Sequence, residues 1–133
     1  MKLKRLVPII TLGEFAGIKE FYQKHFNFKV TYEAAEFLSL SPKNHESIEL
    51  AFMKSGSDGQ PEYNNQGLTY CFEVDDVDAE YERLNGGSVT ILQQVQNNPW
   101  GDRSFIVEAP AGVSLYIYSP IPPAEEFKQY HKS

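Results

Sequence analysis

The spacing of apolar positions changes along the chain, and each change marks an element. Residues 6–12, LVPIITL, are almost continuously apolar, which predicts a buried strand. Over residues 15–26 the period becomes helical: Phe15, Ile18, Tyr22 and Phe26 recur on one face, with Phe21 beside them. Asn27 follows, and asparagine tolerates the left-handed conformation that ends many helices. FKVTYEA, EFLSLSP and SIELAFM then give three strand-like runs, so the first half reads β-α-β-β-β. Residues 55–66, SGSDGQPEYNNQ, are polar and rich in Gly, Ser and Asn, as a linker is.

The order then repeats. GLTYCFEV predicts a strand, and Asp75 or Asp76 can cap a helix whose apolar face is Val77, Tyr81 and Leu84. Asn-Gly-Gly at 85–87 ends that helix. SVTILQQV, RSFIVEA and VSLYIYS supply three more strands, with turns at Pro99 and Gly101 and at Pro110 and Gly112. A β-α-β-β-β unit covers one sheet face with its helix. The other face must meet a second unit or hold a ligand. Two units side by side would form a curved wall around a cleft, the default place for a ligand.

Composition narrows the function classes. The 133 residues suit one domain large enough to bury a core without staples. A net charge of −6 argues against nucleic acid or an anionic membrane as the main partner, because both require a basic patch. The single cysteine, Cys71, forms no intrachain disulfide, which fits a cytoplasmic home. It is expected to be a small buried hydrophobe, since Glu73, Asp75 and Asp76 nearby oppose a thiolate. The N-terminal MKLKRLVPIITLGEF has a short apolar run broken by Pro8, unlike a signal peptide, and no run is long enough to span a bilayer. The acidic VDDVDAEYE is a partner surface or, more simply, suits the dipole at a helix start. The tail IPPAEEFKQYHKS packs along the body or a partner subunit, or frays.

EFYQKHFNFKV, SIELAFM, VDDVDAEYERLNGGSV and PWGDRSFIVEAPAGVSLYIYSP, taken in order over about residues 5–119, resemble the vicinal oxygen chelate superfamily. That group includes glyoxalase I, extradiol dioxygenases, fosfomycin-resistance enzymes and bleomycin-resistance proteins. The last stretch is similar to a WG-x-R-x-F-x-V-x-D-P-x-G signature of its bleomycin-resistance and glyoxalase-like branches, with Ala109 in place of Asp before Pro110. The resemblance implies an α+β fold of two βαβββ modules forming a curved mixed sheet around a cleft. It sets module one at about 5–54, the linker at 55–66, module two at about 67–119 and the tail at 120–133. The family's metal positions map by element to Val7, Glu49, Thr69 and Tyr116. Only Glu49 is a good ligand, and a catalytic metal usually needs three. No metal and no cofactor are therefore expected.

If the family's cleft-facing positions hold, the cup is lined from Val7, Ile9 and Thr11, from Glu49, Ala51 and Met53, from Thr69, Cys71 and Glu73, and from Ser114, Tyr116 and Tyr118. Glu49 is the candidate base or polar anchor; the alternative is a vestigial carboxylate bonded to Tyr116 or Thr69. Tyr116 and Tyr118 either bind a ligand or fill the wall. Trp100 stacks on a planar ligand or plugs the sheet end, and Arg103 grips an anionic group or offsets a neighbouring acid. The expected function is metal-free binding of a small organic molecule by a homodimer. Two alternatives stand beside it: a metal-dependent lyase, isomerase or dioxygenase, and a non-catalytic structural or interaction module.

Overall fold

The structure, a computed structural model, describes residues 1–56, 59 and 61–132. Residues 57, 58 and 60 of the expected linker and residue 133 of the tail lie outside the described residues. The chain divides into two compact units, Met1–Asn64 and Asn65–Ser133.

In the first unit β1 (Ile9–Leu12), α1 (Ile18–Phe26), β2 (Phe28–Glu33), β3 (Phe37–Pro42) and β4 (Leu50–Lys54) follow in order. The strands form one sheet, β1-β4-β3-β2, with β1 parallel to β4 and the other pairs antiparallel. β1 starts later than the apolar run because Pro8 has no N–H for a ladder; only its carbonyl takes part, accepting from Ala51 N at 3.1 Å. α1 also starts later than its apolar period, because Gly17 before it sits at φ 80°, outside helical space. Asn27 ends the helix at φ 57°. Ile18 and Tyr22 of α1 are buried, Tyr22 with its ring centroid 5.3 Å from that of Phe28 on β2, and Ile10, Leu38, Leu40 and Phe52 are buried on one face of the sheet. Each such side chain contributes roughly 1.5–3 kcal/mol.

The second unit repeats the plan with β5 (Thr69–Glu73), α2 (Val77–Leu84), β6 (Ile91–Asn98), β7 (Asp102–Glu108) and β8 (Ser114–Pro120). Its sheet runs β5-β8-β7-β6, again with the first and last strands parallel. Asp76, not Asp75, caps α2: its carboxylate accepts from Ala79 N at 3.1 Å. Val77 and Leu84 of α2 are buried, and Tyr81 meets Phe105 edge-on with ring centroids 5.2 Å apart. Phe105, Val107, Leu115 and Ile117 are buried on that face. The tail returns to the β6–β7 loop: Ile121 N donates to Gly101 O at 2.9 Å and Ala124 N to Pro99 O at 2.8 Å. Glu125–Tyr130 then form a 3-10 segment. Among the described residues no helix is long and apolar enough to cross a membrane.

Candidate functional site

Helix α2 covers one face of the second sheet, and register fixes what the other face carries. Thr69, Cys71 and Glu73 of β5 stand opposite Ser114, Tyr116 and Tyr118 of β8. Those in turn stand opposite Glu108, Ile106 and Ser104 of β7, and Asp102 continues the row of β7 positions. Pleating turns alternate residues to opposite faces, so all of these share the side that α2 leaves open.

One hydrogen-bonded cluster organises this face. The Tyr116 hydroxyl donates to the Asp102 carboxylate, 2.9 Å from each oxygen. Trp100 Nε1 donates to Asp102 Oδ2 at 3.1 Å, although the side chain is half exposed. The Asn98 amide donates to Asp102 Oδ1 and to Ser104 Oγ, each at 2.8 Å. Gln96 Nε2 donates to the Asn98 carbonyl at 2.9 Å. Asn98 and Ser104 are buried, Asp102 and Tyr116 are part-buried, and Trp100 is half exposed. Nearby, the Tyr118 hydroxyl donates to Glu73 Oε1 at 3.2 Å, and the Tyr116 and Tyr118 ring centroids are 6.0 Å apart.

The polarity of these bonds matters. Both phenols give their protons to carboxylates, and the Tyr116 oxygen also accepts from the Asn98 amide at 3.4 Å. Burial raises the Tyr116 pKa most; the Ser104 and Trp100 hydrogen bonds pull it down, and Asp102 adds to the rise. Burial, then Glu73, raises the Tyr118 pKa. The stability tied to these shifts is intact below pH 10, the unfolded value being 10.0, and is lost as pH rises through the folded values. An absorbance titration should therefore show a tyrosine subset that ionises late and whose ionisation accompanies unfolding. Substituting Tyr116→Phe should shrink that subset, and an unchanged profile would count against the cluster.

The other sequence-derived candidates have different surroundings. Arg103 lies on the helix-covered face, where its Nη2 meets Asp78 Oδ1 at 2.9 Å and its Nη1 donates to Asn97 at 3.0 Å. The hydrogen bond from Arg103 holds the Asp78 carboxyl below its usual range. Cys71 corrects the expectation of a buried residue: it is exposed, because its position beside Tyr116 puts it on the open face. Thr69 and Glu73 are exposed at the edge strand of the same face. Met53, in the first unit, is half-buried on β4 opposite Thr11 and Phe37. Glu49 immediately precedes β4 and is ion-paired with Arg5.

Asp102, Asn98, Ser104 and Arg5 were not among the sequence candidates. Asp102 sits inside the WGDR stretch and shares the strand parity of Ser104, a usable signal. Asn98 ends the polar run QQVQNN, where an amide bounding a predicted strand could have marked a network. Arg5 carried no signal beyond belonging to a basic N-terminal segment.

The donor set does not fit a divalent metal. Of Val7, Glu49, Thr69 and Tyr116, the first offers no donor, the carboxylate of the second is taken by Arg5, and the phenol of the last is protonated toward Asp102. Among the described residues no group of three or more His, Cys, Asp or Glu stands close enough to hold an ion.

Residues 4–117 match the family model described as Glyoxalase/Bleomycin resistance protein/Dioxygenase superfamily. No curated protein matches. A glyoxalase/bleomycin resistance protein/dioxygenase from Nocardioides superposes with a TM-score of 0.75 at 14% identity, over 91% of this chain and 85% of that one. TnmS3, an antibiotic binding protein from Streptomyces sp. CB03234, gives 0.70 at 22% identity, over 90% and 97%. TioX from Micromonospora sp. ML1 gives 0.68 at 15% identity, over 89% and 99%. At these identities the likeness to the solved structures concerns the fold.

Proposed function

This chain belongs to the Glyoxalase/Bleomycin resistance protein/Dioxygenase superfamily, and from that premise we propose that it is a metal-free protein that binds a small, planar, cationic organic molecule. The observation that carries the proposal is the Asp102–Tyr116–Trp100 cluster. It presents a half-exposed indole, two part-buried phenols and the carboxylates of Asp102 and Glu73 on one face. Aromatic faces and carboxylates together attract cations, and rings already held by hydrogen bonds lose little entropy on binding. The net charge of −6 steers cations toward the protein and anions away. That an antibiotic binding protein shares the fold supports a sequestering role. The lack of a fitting donor set weighs against the alternative of a metal-dependent lyase, isomerase or dioxygenase. The proposal extends to a homodimer in the cytoplasm, which suits a free, exposed thiol.

Trp100 is the only tryptophan, so its fluorescence reports on the site directly. Titration with proflavine, a planar aromatic cation, should quench it with a dissociation constant on the order of micromolar. Anthraquinone sulfonate, planar and anionic, should not compete. Glu73→Gln should weaken proflavine about tenfold, the equivalent of one charge-assisted contact. Equal binding of the anion, or indifference to Glu73→Gln, would remove the cationic assignment. Stoichiometric metal in protein purified without chelator, with a melting shift lost in Glu49→Ala, would instead restore the metal enzyme.

A further inference from the structure

We propose that His131, in the tail, is a positioning residue for the Trp100 face: its imidazole holds the Trp100 carbonyl and so fixes the indole that meets the ligand. This role rests on the reading of that face as a binding site. The β6–β7 loop is three residues long, Pro99, Trp100 and Gly101. Each of their carbonyls accepts a hydrogen bond from the tail: Pro99 O from Ala124 N at 2.8 Å, Gly101 O from Ile121 N at 2.9 Å, and Trp100 O from His131 Nε2 at 2.6 Å. A carbonyl oxygen only accepts, so Nε2 of His131 carries the hydrogen.

A steric observation agrees. Gly101 has φ +125°, and a Cβ placed there would lie 3.3 Å from Ile121 O, 3.5 Å from Pro123 Cβ and 3.6 Å from His131 Cε1. The tail thus lies against the one loop residue that has no side chain, and glycine permits that close approach. The 3-10 segment Glu125–Tyr130 spans the tail between Ala124 and His131. It ends with His131 N donating to Lys128 O at 3.3 Å, and Lys128 in turn pairs with Glu125 at 2.9 Å. The imidazole is therefore delivered to the loop by a turn with its own hydrogen bonds, although His131 itself is exposed.

Two of the three tail donors are main-chain N–H groups, which any residue but proline supplies. His131 is the one whose side chain does the holding, and it acts on the middle residue, the one that carries the indole. The indole is held from the other end by Asp102, whose Oδ2 accepts from Trp100 Nε1 at 3.1 Å. Asp102 thus fixes the ring and His131 fixes the main chain beneath it. A ring ordered before the ligand arrives spares the ordering cost at binding. One hydrogen bond of ordinary net strength corresponds to about a fivefold change in an equilibrium.

Acrylamide quenching of Trp100 in the ligand-free protein reads the loop directly, because this is the only tryptophan. His131→Ala should be quenched faster than the wild type and should bind proflavine about fivefold more weakly. His131→Gln, whose side-chain amide can donate to the same carbonyl, should recover most of both. Melting of His131→Ala should stay close to that of the wild type, since the residue is exposed. Unchanged quenching in His131→Ala, unchanged proflavine affinity beside a wild type that binds, no recovery with glutamine, or a melting loss large enough to account for the weaker binding would each overturn the role. Failure of the wild type to bind proflavine would instead remove the reading of the face as a cation site. The quenching comparison needs no ligand, so it separates the two: faster quenching restored by glutamine would still identify His131 as the residue that holds Trp100.

Discussion

Asp102→Ala should lower stability by about 3 kcal/mol and melting by about 10 °C, although Asp102 lies at the end of a strand beside a loop. The carboxylate is the common acceptor for Tyr116, Trp100 and Asn98. Removing it leaves a buried amide short of one partner and a phenol with none of comparable geometry. Hydrogen bonds to a charged group contribute roughly 1.5–3 kcal/mol each, and three that share one acceptor do not add fully. Asp102→Asn keeps an acceptor oxygen and should cost about half as much. Proflavine affinity should fall in both variants, because the indole and phenol lose their fixed orientation. Thermal unfolding of the two variants beside the wild type checks the ordering. A melting change under about 2 °C for Asp102→Ala would show that the cluster is decoration and not an anchor.

Gly112→Ala should be at least as damaging, for a steric reason. Gly112 has φ +73°, and a Cβ placed there would lie 2.1 Å from Asn65 O and 2.7 Å from the Asn65 carbonyl carbon. The obstacle is backbone, so no rotamer change relieves it. Neighbouring Ala111 provides the internal control. It carries a Cβ at φ 66°, so the turn tolerates a left-handed alanine where space allows. The expected loss at Gly112 is therefore mostly overlap, above about 3 kcal/mol, and chemical denaturation would measure it. Near-wild-type stability would mean that the Asn65 segment moves away at little cost. Since Asn65 leads into β5, the strand that carries Glu73, such movement should also register as weaker proflavine binding.

The sequence made the elements legible because the two periods, 2 and 3.6, are written by large apolar side chains. The β-α-β-β-β order, the Asn27 stop and the helix beginning near Asp76 all follow from local chemistry that no distant contact overrides. Starts shifted where backbone constraints won: Pro8 delayed β1, and Gly17 delayed α1. The site was half legible. Strand parity predicts the shared face of Glu73, Tyr116 and Tyr118, and register puts them there. It does not say which acid a tyrosine chooses. Tyr116 and Asp102 are 14 residues apart and meet across a hairpin, so their bond depends on register and loop geometry that apolar periodicity does not encode. Cys71 failed for a related reason. Composition says that cysteine is usually buried, whereas edge-strand parity turns this one outward. Arg5 and Glu49, 44 residues apart, carry no pattern that links them.

In each unit the first strand is hydrogen-bonded in parallel to the last. During synthesis, β5 leaves the ribosome long before β8, and its ladder must wait for the final turn at Pro110–Gly112 to be passed. The closing contact of the second unit is thus its most non-local one, and loop-closure entropy must be met before that contact rewards it. The face that carries Tyr116 and Trp100 is complete only when the C-terminal strand docks. A nascent chain stalled before β8 would expose β5 as an unguarded edge, vulnerable to pairing with another chain. Ligand binding and escape from aggregation thereby depend on the same late event.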